Sequence, residues 1–258
     1  MIGEEAPAAE WSDLERELDA WAATGRTATF WWRDDDAIAA TPALDRLLEL
    51  GHGLPLALAV IPGSAEDSIA RRLMAAPNVA VLQHGWMHRN HAPAGERAAE
   101  LGAHRPVDVV LEELGAGWHR LEALLGRLLL PILTPPWNRA ADALIPRLRA
   151  AGYCGLSASG PRRRREASPG LVQVNAHVDL VDWRARRFVG AAKAIRRAIE
   201  HLAARRVGSA DPAEPTGILT HHLVMDAPSE GFLLRFLALT RTHPAARWIG
   251  AAEAFAAP

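Results

Sequence analysis

The sequence contains one cysteine, has a formal net charge of −1, and has no apolar run near the ~18 residues of a membrane-spanning helix. The single cysteine, Cys154, excludes an internal disulfide, and its small neighbours are typical of a packed, unreactive thiol. The near-zero charge gives no overall attraction to nucleic acid or to an acidic membrane surface. We therefore expect a soluble protein without nucleic-acid or membrane partners.

The beginning of the chain also lacks a feature. Its first ten residues are acidic and have neither the basic segment nor the apolar segment of a secretory signal, which favours a cytoplasmic location. The length and the hydrophobic content of the chain, in contrast, indicate a fold class. At 258 residues and 49% hydrophobic residues, the chain matches a single α/β barrel of about 250 residues.

Helical and strand-like patterns alternate along the chain. Apolar runs and turn residues predict strands at 27–32, 54–61, 79–82, 130–133, 153–157, 171–174, 217–219 and 247–249. Helical periodicity predicts helices from Ser12 onward and at 42–51, 65–75, 106–125, 140–151, 191–205 and 232–240. Seven or eight β/α units with short connections predict one barrel of parallel strands, a single domain spanning 1–258.

Two polar segments each follow a predicted strand. The first is Arg33-Asp34-Asp35-Asp36, and the second carries His84 and His88. Three adjacent carboxylates repel one another and are costly at a buried strand end without a cation. Two imidazoles four residues apart share a face if that stretch is helical. An aspartate and two histidines can hold a divalent metal and leave a position open, so this pattern indicates a metal site.

Five segments, in this order along the chain, resemble those of the polysaccharide deacetylase family: Arg33-Asp34-Asp35-Asp36-Ala37, His84-Gly85-Trp86-Met87-His88, Pro135-Pro136-Trp137-Asn138-Arg139, Asp179-Leu180-Val181-Asp182-Trp183 and Leu219-Thr220-His221. Members of that family are metal-dependent hydrolases on a distorted (β/α) barrel. The resemblance implies a barrel of that kind and an enzyme that removes an acyl group, most naturally N-acetyl, from a carbohydrate-like substrate.

The family's first segment carries a catalytic base followed by a metal ligand. In this chain the place of Ala37 implies that Asp35 is the base and Asp36 the ligand. The alternative register makes Asp34 the base and Asp35 the ligand. Strand alternation alone would put Asp34 and Asp36 on one side and Asp35 on the other. The choice therefore depends on whether the strand turns after Trp32.

The same resemblance implies that His84 and His88 complete the metal site and that His221 is the general acid. Two imidazoles and one carboxylate suit zinc, with cobalt, nickel and manganese as alternatives.

The chain departs from the family at Thr134, where an arginine usually steadies the base. Either Arg33 or Arg139 could supply the missing charge, and either Asp179 or Asp182 could pair with that arginine. Two further side chains are candidates for substrate contacts. Trp137 offers a flat face for a sugar ring, and Asn90 could support the site or bind substrate. The arginine run at 162–165 is interpreted as a solvated loop.

Without a secretory signal, a small molecule or an oligosaccharide inside the cell is the expected substrate. Two other functions fit the same pattern. One is a metal-dependent hydrolase of amides that are not sugars, and the other is a non-catalytic binding protein on the same fold, which the departure at Thr134 favours.

Overall fold

The structure is a computed structural model that describes residues 9–256. Most of the acidic segment behind the cytoplasmic prediction lies outside those residues, so the location stays a prediction. Within 9–256, no helix combines the length and the apolar character needed to cross a bilayer.

Helices and strands alternate as the sequence predicts, except between Gly155 and Phe188, where six short strands follow one another without an α-helix. The helices are α1 (Trp11–Ala23), α2 (Pro42–Gly51), α3 (Asp67–Leu73), α4 (Val107–Leu125), α5 (Ile145–Leu148), α6 (Ala191–Val207), α7 (Ala227–Thr242) and α8 (Ala251–Ala254). The strands are β1 (Ala28–Ala37), β2 (Leu56–Val60), β3 (Val79–His84), β4 (Leu129–Thr134), β5 (Gly155–Leu156), β6 (Glu166–Ser168), β7 (Leu171–Gln173), β8 (Val178–Asp179), β9 (Val181–Asp182), β10 (Arg187–Phe188), β11 (Thr216–Thr220) and β12 (Ala246–Trp248).

The main sheet has the order β6-β7-β5-β4-β3-β2-β1-β11-β8, with β12 added beside β1, and β9 pairs with β10 separately. All pairs in the main sheet are parallel except β6 with β7. The two ends of the sheet are connected by a short segment of the chain. Strand β7 pairs with β5 at one end, and β8, which follows β7 after a few residues, pairs with β11 at the other end. The predicted α/β fold with a mostly parallel barrel-like sheet is confirmed.

Alternating side chains of β2 show how the barrel is filled. Leu56, Leu58 and Val60 pack outward against the helices, whereas Ala57 and Ala59 face a smaller inner cluster. That inner cluster contains Trp31 and Phe255, whose ring centroids are 5.8 Å apart. Phe255 follows α8, so the C-terminal segment packs into the barrel interior. The carboxyl ends of the strands, where α/β enzymes place their sites, carry the polar segments described below.

Three elements have a boundary five residues from the predicted one, including α7, which begins at Ala227 instead of Phe232. Strand β1 continues through the aspartates to Ala37 instead of ending at Trp32. The helix predicted at 140–151 is reduced to Ile145–Leu148, because Ala140 forms a parallel bridge with Leu101 that holds the preceding chain extended. Pro146, which has no N–H to donate to a preceding carbonyl, further disfavours a helix before Ile145.

Candidate metal centre and active site

A bulge in β1 decides which aspartates share a side. Asp34 pairs with Leu58 and Ala37 pairs with Val60, so β1 contains one more residue than β2 between these pairs. Asp36 absorbs the irregularity with a positive φ of 70°. As a result Asp35 and Asp36 line the same cavity. The alternation expected from a regular strand, with Asp34 and Asp36 together, is wrong at this position.

Asp34 is fully buried and makes its hydrogen bonds to the end of β11 and the residues after it. Its Oδ2 accepts hydrogen bonds from Thr220 Oγ1 at 2.6 Å and from the His222 backbone N–H at 3.0 Å. The His222 ring lies with Nδ1 2.5 Å from Asp34 Oδ1. Asp34 therefore ties β1 to the chain after β11 and does not line the cavity, which favours the register with Asp35 as base.

Asp36, His84 and His88 form a cluster of potential metal ligands. Asp36 Oδ1 lies 3.1 Å from His84 Nε2 and 3.3 Å from His88 Nε2, and all three ligand atoms lie within 4.8 Å of one another. Donors bound to one metal at about 2.1 Å are separated by about 3 to 3.5 Å, so this spacing fits a bound cation. His84 Nδ1 lies 2.9 Å from the Thr134 carbonyl oxygen, a bond that leaves the Nε2 lone pair free for a metal.

The charges of this cluster support each other. Burial raises the pKa of Asp36, but the hydrogen bond and charge of His84, together with the fields of His221 and His88, lower it overall. Burial lowers the pKa of His84, but Asp36 and Asp35 outweigh it and the net pKa is raised. Asp36 is therefore held ionised, as a metal ligand must be.

His84 and His88 do not share a face of a helix, because the stretch between them is not helical. His84 ends β3, and a tight turn brings His88 back toward it with a φ of 53°. Buried Glu100 holds that turn by accepting the backbone N–H groups of Trp86, Met87 and Arg89 at 2.9, 2.7 and 3.2 Å. Gly85 is required in the turn, because a Cβ there would lie 2.1 Å from a Glu100 oxygen. Sequence reasoning missed Glu100.

Arg33 supplies the charge that Thr134 does not. The Arg33 guanidinium is completely buried and contacts both Asp35 oxygens, with Nε 2.9 Å from Oδ1 and Nη2 3.0 Å from Oδ2. It also donates to Ser157 Oγ and Asn138 Oδ1, both at 2.6 Å. These partners fix the fork on the carboxylate. Arg139, the other candidate, instead donates to the Ala98 carbonyl at 2.7 Å.

His221 lines the same cavity and lies close to this ion pair. Its Nε2 is 4.0 Å from Asp35 Oδ2, and its ring is buried. The edge of the Trp183 ring packs against it at a centroid distance of 4.6 Å. Asp179 positions Trp183 by accepting its indole N–H at 2.9 Å. The expectation that Asp179 pairs with an arginine side chain is therefore wrong.

Two other candidates lie away from the cavity. Asp182 accepts the backbone N–H groups of Arg184 and Ala185 in an exposed turn, so it pairs with neither Arg33 nor Arg139. Asn90 accepts the backbone N–H groups of Ala92 and Ala99, both at 3.0 Å, and shapes the loop after the histidines. Neither residue lines the cavity.

The cavity itself has a volume of about 530 Å³, within the range of small-molecule sites. Trp137 forms part of its wall, and the Trp137 ring lies 4.3 Å from the His88 ring. Trp137 and Asn138 both have left-handed backbone, with φ of 54° and 57°. Together with Asp36 and His88, they concentrate uncommon backbone conformations at this cavity, as is typical of functional sites.

Substituting Arg33 is expected to separate charge support from metal binding. In Arg33→Met, buried Asp35 loses its arginine partner, so we expect kcat to fall about 100-fold, the lower end of general-base contributions. KM and metal content should stay near their wild-type values because Arg33 touches no metal ligand. Steady-state kinetics and elemental analysis measure both. Arg33→Lys should recover part of kcat, and equal losses in the two variants would contradict a role for the charge.

A second group of potential ligands, His177, His201 and Glu214, lies next to the cavity, and His177 also lines it. Both Nε2 atoms face Glu214 Oε2, at 3.4 and 3.8 Å. However, the Gly217 backbone N–H donates to His177 Nδ1 at 2.9 Å, so the proton of this imidazole is on Nε2. A protonated Nε2 has no lone pair for a metal. We interpret the group as two neutral histidines that solvate a buried carboxylate.

This buried group is expected to make the protein sensitive to acid. Burial lowers the pKa of His201 from 6.5 to about 4, and the two histidines hold the pKa of Glu214 near 2 against the effect of burial. The folded state thus binds fewer protons than the unfolded chain. The stabilisation that comes from neutral His201 is fully present above pH 6.5. As the pH falls toward 4, the free energy of unfolding decreases by on the order of 3 kcal/mol.

Denaturant unfolding of the wild type and of His201→Gln at pH 7, 5 and 4 measures this effect. The difference in unfolding free energy between the two proteins should shrink as the pH falls, and a constant difference would contradict the assignment. Because both proteins keep Asp36, His84 and His88, acid release of a metal affects them equally.

No family model matches the sequence, and a search of curated proteins found no relative. Solved structures do match. A Mycobacterium smegmatis protein assigned to the polysaccharide deacetylases has a TM-score of 0.67 and 17% identity, over 98% of this chain and 93% of that one. A family 4 acetyl xylan esterase from Clostridium thermocellum, in complex with a cobalt ion, has a TM-score of 0.52 and 13% identity, over 88% and 90%. A CE4 family pseudoenzyme from Bacillus anthracis has a TM-score of 0.59 and 13% identity, over 89% and 66%.

Proposed function

We propose that this protein, which has the fold of the polysaccharide deacetylases, is a metal-dependent hydrolase that removes an acyl group, N-acetyl in preference to O-acetyl, from a carbohydrate-like substrate. One observation carries the proposal: the cluster of Asp36, His84 and His88 shares a cavity with an arginine-paired Asp35 and with His221. The fold is that of known deacetylases and esterases. The arrangement contains a metal site, a base and an acid within reach of one small molecule.

A divalent cation, zinc by preference, held by Asp36, His84 and His88 would polarise the acyl carbonyl and lower the pKa of the attacking water. Asp35 is placed to take the proton of that water, because it lines the cavity beside Asp36 and its charge is held in position by Arg33. In this proposal His221, whose Nε2 lies 4.0 Å from Asp35 Oδ2 at the same cavity, protonates the leaving nitrogen.

Metal-dependent binding without catalysis is the second candidate. It is favoured by the fold it shares with a pseudoenzyme and by the family arginine missing at Thr134. Against it, Arg33 makes the two-oxygen contact with Asp35 that an orienting arginine needs. A binding protein would have no need to keep that buried ion pair at the cavity wall, which is costly unless it is used.

Elemental analysis combined with an acyl-release assay tests the proposal. We expect one divalent metal per chain and release of acetate from N-acetylglucosamine oligomers, with slower release from O-acetylated xylan. A third arm with an acetylated aromatic amine tests hydrolysis of amides that are not sugars. Metal at full occupancy with no acetate released from any of the three would favour the binding protein, and a protein that takes up no metal would end both proposals.

A further inference from the structure

Two arginines line the cavity without an acidic partner. Arg139 donates one N–H to the Ala98 carbonyl at 2.7 Å, and Arg197, on α6, donates one to the Asp179 carbonyl at 2.8 Å. Within residues 9–256, neither guanidinium forms an ion pair with a carboxylate. Each fork therefore keeps most of its five N–H donors for another partner.

With a divalent cation bound, the positive charges at the cavity would outnumber the negative ones. Arg33 offsets Asp35, whereas the Asp179 carboxylate accepts only the neutral N–H groups of the Val181 backbone and the Trp183 indole and keeps one negative charge at the cavity. Asp36 offsets only part of a divalent cation. Burial, together with the charge of the neighbouring Arg97, lowers the pKa of Arg139. A cavity of this kind favours a ligand with negative charge.

Arg139 and Arg197 lie on different elements from the cluster of Asp36, His84 and His88. Asp36 comes from β1, and His84 and His88 lie at and after the end of β3. Arg139 follows β4, and Arg197 contacts β8, so both belong to other parts of the barrel wall. A cavity of about 530 Å³ spans these parts and has room for a sugar ring with one substituent.

We propose that Arg139 and Arg197 bind an anionic substituent, a carboxylate or a phosphate, on the substrate whose acyl group is cleaved at Asp36, His84 and His88. The inference rests on the proposed function and narrows it from acylated carbohydrates to acidic ones. Guanidinium forks recognise both anions through paired, charge-assisted hydrogen bonds, whereas a neutral sugar leaves them unpaired.

Three probes test the proposal on the metal-loaded protein: N-acetylglucosamine, its 6-phosphate, and N-acetylmuramic acid, which carries a carboxylate. Calorimetry gives Kd and an acetate assay gives kcat/KM. At least one anionic probe should bind about tenfold more tightly than the neutral sugar, and the stronger of the two identifies the anion. Arg139→Gln and Arg197→Gln should each lose most of that preference with little change for the neutral sugar.

Matched variants keep the test specific. Arg196→Gln removes an exposed arginine of the same helix and should leave the preference intact, whereas Arg197→Lys should retain part of it. Equal affinity for all three probes, binding of none of them, or an anion preference that survives both glutamine variants would overturn the inference. Anion-selective binding that depends on the arginines, with no acetate released, would instead overturn the proposed hydrolysis and leave the binding site standing.

Discussion

We expect the His84→Ala variant to lose its ability to retain a divalent metal. His84 contributes Nε2 to the cluster, 3.1 Å from Asp36 Oδ1, and its ring is fixed by the bond to the Thr134 carbonyl. Changes in the partners of metal ligands already cost about 10- to 100-fold in affinity, so loss of a ligand itself should cost more than 100-fold. Elemental analysis after dialysis should find less than a tenth of the wild-type metal, and acyl release should fall with it.

Two further variants separate ligand loss from misfolding. His84 is buried, so its removal also leaves a cavity in the protein. His88 is partly exposed, and His88→Ala should lose metal with a smaller effect on unfolding. His91→Ala, in the same segment but outside the cavity, should keep its metal. If both His84→Ala and His88→Ala bound metal as the wild type does, the cluster would not be a metal site.

The sequence could predict that Asp36 and the two histidines approach each other. Parallel strands β1 and β3 end at the same side of the sheet, so polar residues after each strand must converge there. The choice of aspartate was not predictable from strand periodicity. It depends on one extra residue in β1 relative to β2 and on the positive φ of Asp36, both of which depend on pairing between distant segments.

The partners of the base were predictable only in part. Arg33 was one of two candidates, and the structure favours it because the same strand carries both charges two residues apart, on one side. Asn138 lies in one of the five family-like segments and Ser157 in none, but neither position indicates a contact with Arg33, because both lie more than 100 residues away along the chain. Either Asp179 or Asp182 was expected to pair with an arginine, yet both carboxylates accept backbone or indole N–H groups instead. Short aspartate side chains serve local turns as readily as distant charges.

The position of Arg33 and Asp35 on one strand affects how sensitive the Asp35 carboxylate is to movements between strands. In a barrel where the orienting arginine comes from another strand, small movements between strands alter the base. Here both groups belong to β1, and the guanidinium is anchored outside the strand by Asn138 and Ser157. The position of the Arg33–Asp35 pair is thus set by two groups of one strand and by anchors outside it, which preorganises the proposed base.

The Asp35→Asn variant is expected to keep its metal and lose at least 1,000-fold in kcat, within the range of about 10²- to 10⁴-fold for a general base. An amide at this position has the shape of the carboxylate but cannot accept the proton. Asp36, His84 and His88 are unchanged, so metal content should equal that of the wild type. Wild-type turnover in this variant would mean that Asp35 is not the base.

A double variant controls for the buried charge that Asp35→Asn leaves behind. Arg33 is completely buried, and an unpaired buried charge costs about 3–5 kcal/mol in unfolding free energy. Arg33→Met combined with Asp35→Asn removes both charges and should unfold at higher denaturant concentration than Asp35→Asn alone, while remaining equally inactive. If activity returned together with stability in the double variant, the loss in Asp35→Asn would come from misfolding. Equal inactivity in a more stable protein assigns the loss to the missing proton acceptor.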